Sequence, residues 1–326
     1  MIQKTYYKTY RTLPDPPYVT ITNDSDTSVY LSITKEGTPN STDLSYSTDN
    51  GITWTDVHNG GGTTIASGGN VKLRSSTGFS KDNNNYYRVN LSRSDVQVSL
   101  SGHIATLIDY ENWDSITAIP NYCFYSMSFL KYSGSATNGN TINNSLSFDG
   151  ITTVGDYSCY QMFFATNFIT PPDFSSITTI GNSGFNECFR YCEKTTGQYN
   201  FSNVTSIGTA AFYSAFNSNI RISTFPDFSK LTTAPNDSFQ WSFQNCTSLT
   251  SVDLSNFTSV SNFRACFKDC TNLNYIKTPN VSSWNTNTFN GWVENVAATG
   301  LFLKPTNLTV PEGISGYPSG WTVENY

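Results

Sequence analysis

The sequence predicts a mainly β protein in two parts, a small β-sandwich followed by a stack of short repeats. Short alternating apolar runs fill the chain before residue 110, and a motif recurs every 26 or 27 residues beyond it. Only 13% of residues are charged while 15% are aromatic, and much of the rest is Ser, Thr, Asn and Gly. That balance suits strands and tight turns better than long exposed helices. At 326 residues the chain is long enough for two separate cores.

The runs Tyr18-Val19-Thr20-Ile21, Val29-Tyr30-Leu31-Ser32-Ile33, Leu44-Ser45-Tyr46-Ser47, Val71-Lys72-Leu73-Arg74 and Tyr86-Tyr87-Arg88-Val89 alternate apolar and polar residues between glycine-rich clusters. They predict an Ig-like sandwich over residues 18–109. Its clearest hairpin runs from Tyr46 to Trp54, with Asn50-Gly51 supplying the positive-φ turn. The same stretch, Ser47-x-Asp49-x-Gly51-x-Thr53-Trp54, resembles the Asp-box hairpin of sialidases. It occurs once, whereas a propeller would repeat it blade by blade, so it is read as a structural turn.

Beyond residue 110 the chain repeats itself. Ile151-Thr152-Thr153-Val154, Ile177-Thr178-Thr179-Ile180, Val204-Thr205-Ser206-Ile207, Leu231-Thr232-Thr233-Ala234 and Phe257-Thr258-Ser259-Val260 start 26, 27, 27 and 26 residues apart. Less regular copies begin at Ile116 and Val281. Three apolar columns fall in register: Phe148, Phe174, Phe201, Phe228 and Leu254, then the first and the last residue of each motif. No single copy can bury these residues, but stacking places like beside like and creates a continuous core. The Thr between the inward columns is expected to point outward. A further register pairs Phe164 with Asn167, Phe189 with Cys192, Phe216 with Asn219, Phe243 with Cys246 and Phe267 with Cys270. Exchange of Asn and Cys at one inward position is a leucine-rich-repeat trait.

Ile119-Pro120-Asn121-Tyr122-Cys123-Phe124-Tyr125-Ser126-Met127, Phe243 to Leu254 and Ser315 to Val323 resemble BspA-like leucine-rich-repeat proteins of gut bacteria and their phages. The resemblance implies adhesion, or recognition of proteins and glycans. The expected layout is an N-terminal arm over 1–17, the sandwich over 18–109, a BspA-type leucine-rich-repeat solenoid over 110–298 and a C-terminal cap over 299–326.

Chemistry has little material to work with. The two histidines, His58 and His103, pair with no cysteine at metal-ligand spacing. The seven cysteines fall in interior registers or among aromatics, which reads as small buried thiols rather than disulfides or a metal site. Asp149, Asp173, Asp227 and Asp253, with Asn200 filling the missing place, read as caps on local turns; calcium is the alternative for such a row. No metal, cofactor or catalytic residue is assigned. Tyr157, Tyr160, Tyr191, Tyr213, Trp241 and Trp292 are the candidates for a ligand-binding face.

The net charge of -6 offers no footprint for nucleic acid, and no run approaches the ~18–20 apolar residues of a membrane span. The start, Met1 to Lys8, lacks a signal-peptide apolar region, and its Lys4, Tyr6, Tyr7, Lys8, Tyr10 and Arg11 suit docking on another subunit. The expected function is therefore non-enzymatic surface recognition. A phage virion component, a fibre or decoration module held in an oligomeric assembly by the arm and displayed on the virion surface, is the first reading. The alternatives are a secreted bacterial cell-surface adhesin and a carbohydrate-active enzyme.

Overall fold

The structure, a computed structural model, describes residues 16–37, 44–57, 60–76, 80–132 and 140–326. It is mainly β, with two single-turn 3-10 helices, Ile104–Leu107 and Trp113–Ser115, as the helices among the described residues. The anchoring residues proposed from sequence (Lys4, Tyr6, Tyr7, Lys8, Tyr10 and Arg11) lie outside them, as does His58.

The first part comprises strands β1 (Val19–Asn23), β2 (Val29–Glu36), β3 (Ser45–Ser47), β4 (Thr55–Asp56), β5 (Gly61–Ile65), β6 (Asn70–Arg74), β7 (Ser80–Asp82), β8 (Asn85–Leu91) and β9 (Gln97–His103). Five of them are the alternating runs read from the sequence. They form two sheets: β9, β1, β6, β3 and β4 lie side by side in one, and β8, β2 and β5 in the other. Period-2 alternation turns Val19, Ile21, Leu31, Ile33, Val71, Leu73, Tyr87 and Val89 into one core. In the β3–β4 connection Asn50 and Gly51 have φ of 61° and 93°. Asp49 closes the loop by accepting from the Thr53 amide at 2.8 Å, the Thr53 hydroxyl at 2.6 Å and the Ser47 hydroxyl at 2.7 Å. The Thr53 bonds, followed by that from Ser47, hold its carboxyl down at about 2.

The second part adds β10 (Ala118–Ile119), β11 (Lys131–Tyr132), β12 (Thr141–Ser147), β13 (Thr153–Val154), β14 (Asn167–Phe168), β15 (Thr179–Ile180), β16 (Ser206–Ile207), β17 (Thr233–Ala234), β18 (Ser251–Asp253), β19 (Ser259–Val260), β20 (Tyr275–Lys277), β21 (Leu301–Lys304) and β22 (Thr322–Asn325). Hydrogen bonding crosses the division expected at 109/110. β12 runs parallel to β9 over seven residue pairs, from Thr141↔Gln97 to Ser147↔His103, and β11 joins β8.

From there the copies pair in parallel at corresponding residues: Ile119↔Val154, Val154↔Ile180, Ile180↔Ile207 and, further on, Ala234↔Val260. The Thr hydroxyls lie outside and reinforce the pairing, since Thr152, Thr178, Thr205 and Thr258 each donate to the Thr carbonyl of the preceding copy at 3.1–3.4 Å. Inside, Phe148, Phe174, Phe201 and Phe228 follow one another with centroids 4.9, 5.1 and 5.3 Å apart.

Two more phenylalanine columns accompany this one. Phe185, Phe212, Phe239, Phe263 and Phe289 are spaced 5.4–6.0 Å, and Phe163, Phe189, Phe216, Phe243 and Phe267 are spaced 4.9–5.9 Å. The second corrects the Phe164–Asn167 pairing. Phe163 occupies the column, and Thr166 takes the position that Cys or Asn holds elsewhere. Its hydroxyl donates to the Phe129 carbonyl. Cys192, Asn219, Cys246 and Cys270 donate in the same way to Phe163, Phe189, Phe216 and Phe243. What the register requires is a small inward donor, and a hydroxyl meets that requirement as well as a thiol or an amide.

Phe201 touches both neighbouring copies through Phe174 and Phe228. Truncation to Ala should cost about 3–5 kcal/mol and spread loss of amide protection into both adjacent copies. Thr205→Ala should cost less than about 0.5 kcal/mol. Hydrogen exchange on the two variants checks this, and equal losses would mean that the register is wrong.

Candidate recognition face

After each outward Thr motif the chain enters a ribbon of tight turns, residues 155–166 in one copy and 181–192 in the next. Alternate amides point along the stack. Tyr157, Cys159, Gln161, Phe163 and Ala165 donate to the carbonyls of Asn182, Gly184, Asn186, Cys188 and Arg190 at 2.8–3.0 Å. The amides between them close four-residue β-turns, as Met162 does onto Cys159 at 3.1 Å.

This pattern needs positive φ at every fourth residue. Tyr157, Gln161 and Ala165 supply it at 54°, 50° and 55°, then Ser183, Glu187 and Tyr191 at 52°, 51° and 62°, then Ala210, Ser214 and Ser218 at 54°, 49° and 63°. A type II turn requires such a residue and usually takes Gly or Asn. Left-handed backbone costs an L-residue about 1–2 kcal/mol. It persists here because the bonds between copies over-determine it.

The ribbon turns one set of side chains into the core and leaves the other outside. Outside, Tyr157 stacks on Tyr122 of the preceding copy at 5.1 Å and 5°, and Tyr160 on Tyr125 at 4.7 Å and 10°. Tyr86 of β8 meets Tyr125 at 5.5 Å. In the next copy Glu187 accepts from Gln161 Nε2 at 2.6 Å and from Arg190 Nη1 at 2.8 Å, while Arg190 Nη2 donates to the Tyr191 hydroxyl at 3.1 Å. Tyr191 packs on Phe164 at 5.5 Å, and further along Tyr213 meets Trp241 at 5.2 Å. Burial, followed by the Glu187 charge, pushes the Tyr160 hydroxyl up to about 12 and also raises that of Tyr213. Tyr125 is raised by burial, followed by the neighbouring phenols. These phenols stay neutral donors through the physiological range.

Of the residues singled out from the sequence, Tyr157, Tyr160, Tyr191, Tyr213 and Trp241 share this half-exposed ribbon. Trp292 does not. It is fully buried, with Phe267 at 6.0 Å, Phe289 at 5.1 Å and its indole N–H on the Gly316 carbonyl at 2.8 Å. Its large apolar surface closes the end of the core and leaves none for a ligand. The sequence reading missed Tyr86, Tyr122, Tyr125, Glu187 and Arg190. Tyr122-Cys123-Phe124-Tyr125 and Tyr157-Ser158-Cys159-Tyr160 carry the same spacing, and that was the available signal.

Other candidate groups are committed to structure. His103 Nδ1 accepts from the Ala105 amide at 3.1 Å, which leaves the ring proton on Nε2, 2.8 Å from the Asp149 carbonyl. Asp173, Asn200, Asp227 and Asp253 each accept from the amide two residues on at 2.9–3.1 Å, the turn-capping role expected from the sequence. All seven cysteines are free and buried, and burial pushes Cys270 up to about 12 and the other shifted thiols, Cys159, Cys188, Cys192, Cys246 and Cys266, upward as well. No group of three His, Cys, Asp or Glu stands ready for a metal among the described residues.

Residues 152–295 match the BspA type leucine rich repeat region in six copies. No curated protein matches the chain. Among solved structures, a leucine rich cell surface protein from Faecalibacterium prausnitzii is similar at 15% identity, over 65% of this chain and 77% of that one, with a TM-score of 0.25. That superposition is too loose to place any element by.

Two outcomes follow from the ribbon. Ala210→Gly removes the left-handed cost of ~1–2 kcal/mol against about 0.4–1 kcal/mol of added unfolded-state entropy, so stability in urea should hold or rise. Ala211→Gly, at the buried neighbour with ordinary φ, should lower it; equal losses would refute the turn assignment. In the native protein an aromatic disulfide reagent should find the thiols silent, and in denaturant without reductant it should find all seven. Fast native labelling would contradict their burial.

Proposed function

We propose that the chain, with its BspA-type leucine-rich-repeat region at residues 152–295, is a non-enzymatic recognition and adhesion protein that works at a surface. The observation that carries this reading is the outward turn ribbon. Tyr122, Tyr125, Tyr157, Tyr160, Tyr213 and Trp241 recur along one face with Glu187, Arg190 and Gln161 among them. Large, preordered aromatics with polar tips give contact area at low entropic cost, and Tyr, Trp and Arg are the usual hot-spot residues. Among the described residues the thiols are buried, Cys159, Cys188, Cys192, Cys246, Cys266 and Cys270 with raised pKa, and His103 is bonded through both ring nitrogens.

On this reading the two N-terminal sheets are an Ig-like sandwich over 18–109, the copies form a solenoid to residue 298, and 299–326 cap it. The carrier is a phage virion, with the chain as a fibre or decoration module whose arm, residues 1–17, docks on other virion proteins. This follows the resemblance to phage-borne BspA-like chains and is tested by finding the protein in purified virions rather than in bacterial envelopes.

The binding test uses intact gut-bacterial cells and mucin-coated surfaces. The double variant Tyr160→Ala/Tyr213→Ala should lose at least about tenfold in affinity, or ~1.4 kcal/mol, while keeping a cooperative melt lowered only by the loss of two half-buried ring pairs. Undiminished binding would move recognition away from the ribbon.

A further inference from the structure

A third line of backbone pairing runs along the stack, through the parallel bridges Asn200↔Asp227 and Thr224↔Ser251 and on through β18 to β20. Between the two bridges stand Phe225 and Pro226. Proline has no amide hydrogen, so a rung is missing there. A side chain fills part of the gap, since Gln198 Nε2 donates to the Phe225 carbonyl at 3.0 Å. At this interruption a cleft of about 510 Å³ opens, with Gln198, Phe225, Asp227, Ser251, Asp253 and Asn256 in its wall. It lies in the size range of ligand sites, about 300–1,000 Å³.

The charged residues of the wall, Asp227 and Asp253, are both acidic, and the hydroxyl residues Thr224, Ser229 and Ser251 stand among them. Both amide donors are engaged with backbone, Gln198 as above and Asn256 with the Phe228 and Leu231 carbonyls. Each amide is left with its side-chain oxygen, an acceptor. Asp227 uses Oδ1 on the Ser229 amide at 3.0 Å. Asp253 is held by Ser255, and Lys277 reaches it at 3.4 Å. Among the described residues no lysine or arginine lines the cleft, and Phe225, whose half-buried ring packs on Phe228 and Phe243, lines it together with the two carboxylates.

We propose that this cleft binds an arginine side chain presented on an extended segment of a protein partner. A guanidinium has five donors and no acceptor, pairs with carboxylate in charge-assisted bonds and packs on aromatic rings. It complements a wall that holds two carboxylates, further oxygen acceptors and an aromatic ring. A neutral sugar, which the Thr224, Ser229 and Ser251 hydroxyls could also bond, brings no charge to meet Asp227. This contact is separate from the tyrosine ribbon and stands without it.

The probe is acetyl-Gly-Arg-Gly amide, with acetyl-Gly-Gly-Gly amide, spermidine and a neutral disaccharide as comparisons, followed by amide NMR shifts on the full chain. The Arg peptide should shift Phe225, Asp227 and Asp253 saturably. Its affinity should fall several-fold between about 0.05 M and about 0.5 M NaCl. Asp227→Asn should weaken it about tenfold. That variant keeps the turn cap, since Asn200 makes the same bond at the same register one copy earlier, and Phe225→Leu should weaken the peptide several-fold while keeping the core filled. Tyr160→Ala/Tyr213→Ala should leave peptide binding unchanged, which separates this cleft from the ribbon. Absent saturation, full affinity in Asp227→Asn, or equal binding of the Gly peptide or the disaccharide would overturn the proposal. Spermidine binding as tightly as the Arg peptide would overturn the assignment to a protein partner.

Discussion

The structure rests on one requirement: a copy cannot satisfy its own backbone. In the regular copies, from β13 to β20, the strands are two or three residues long and pair with nothing in the same copy, so their amides and carbonyls must find partners one copy away. They do so at Val154↔Ile180 on the threonine side and from Tyr157 to Asn182 through Ala165 to Arg190 along the ribbon. An unpaired buried amide or carbonyl costs about 1–3 kcal/mol. The spacing between copies is therefore fixed by hydrogen-bond length. Once it is fixed, side chains at one register stand about 5 Å apart, which is a comfortable distance for flat rings. Three phenylalanine columns and a column of small donors follow from that spacing.

This explains what could be read from the sequence and what could not. The period was legible because the inward Phe and Ile-Thr-Thr-Val positions must repeat for the columns to form. The turn ribbon was not legible. Its left-handed positions carry Tyr157, Gln161, Glu187, Ala210 and Trp241 instead of the Gly or Asn that would announce positive φ, because bonds between copies, rather than local preference, hold the conformation. The slip from Phe163 to Phe164 has a related cause. Two phenylalanines stand side by side, and the Cys/Asn signature pointed to Asn167, whereas Thr166 is the inward donor. Trp292, one of the candidates for the binding face, turns inward, and an aromatic outside the counted columns has no register from which to read its direction.

A stack also has to begin and end without exposing its open rungs. It begins on the N-terminal sheets, where β12 lies along β9 and His103 ties the end of β9 to the Asp149 carbonyl of the first regular copy. The first part of the chain thus serves as a template as well as a neighbour. The stack ends on tryptophans. Trp284, Trp292 and Trp321 donate their indole N–H groups to the carbonyls of Ser315, Gly316 and Ala297 at 2.7–2.8 Å. Trp284 and Trp292 cover the last phenylalanines, Phe289 and Phe302, and all three indoles satisfy carbonyls at the end of the stack.

Because the interior and the rungs are set by the stack, the outward registers carry the variation. At the register of Tyr125 and Tyr160 the next copies hold Asn186, Tyr213, Gln240 and Arg264, polar or amphipathic residues that range from exposed Arg264 to buried Gln240. Each sits on a backbone anchored from both sides, so changing it leaves the pairing intact. The mutual stacking of Tyr122 on Tyr157 and of Tyr125 on Tyr160 also limits what these rings can offer. The facing sides of the rings within each pair are occupied by one another. On the proposed recognition reading, a partner at this face therefore meets phenol hydroxyls beside the Glu187–Arg190 pair, and the placement of its hydrogen-bond acceptors counts together with the contact area of the rings.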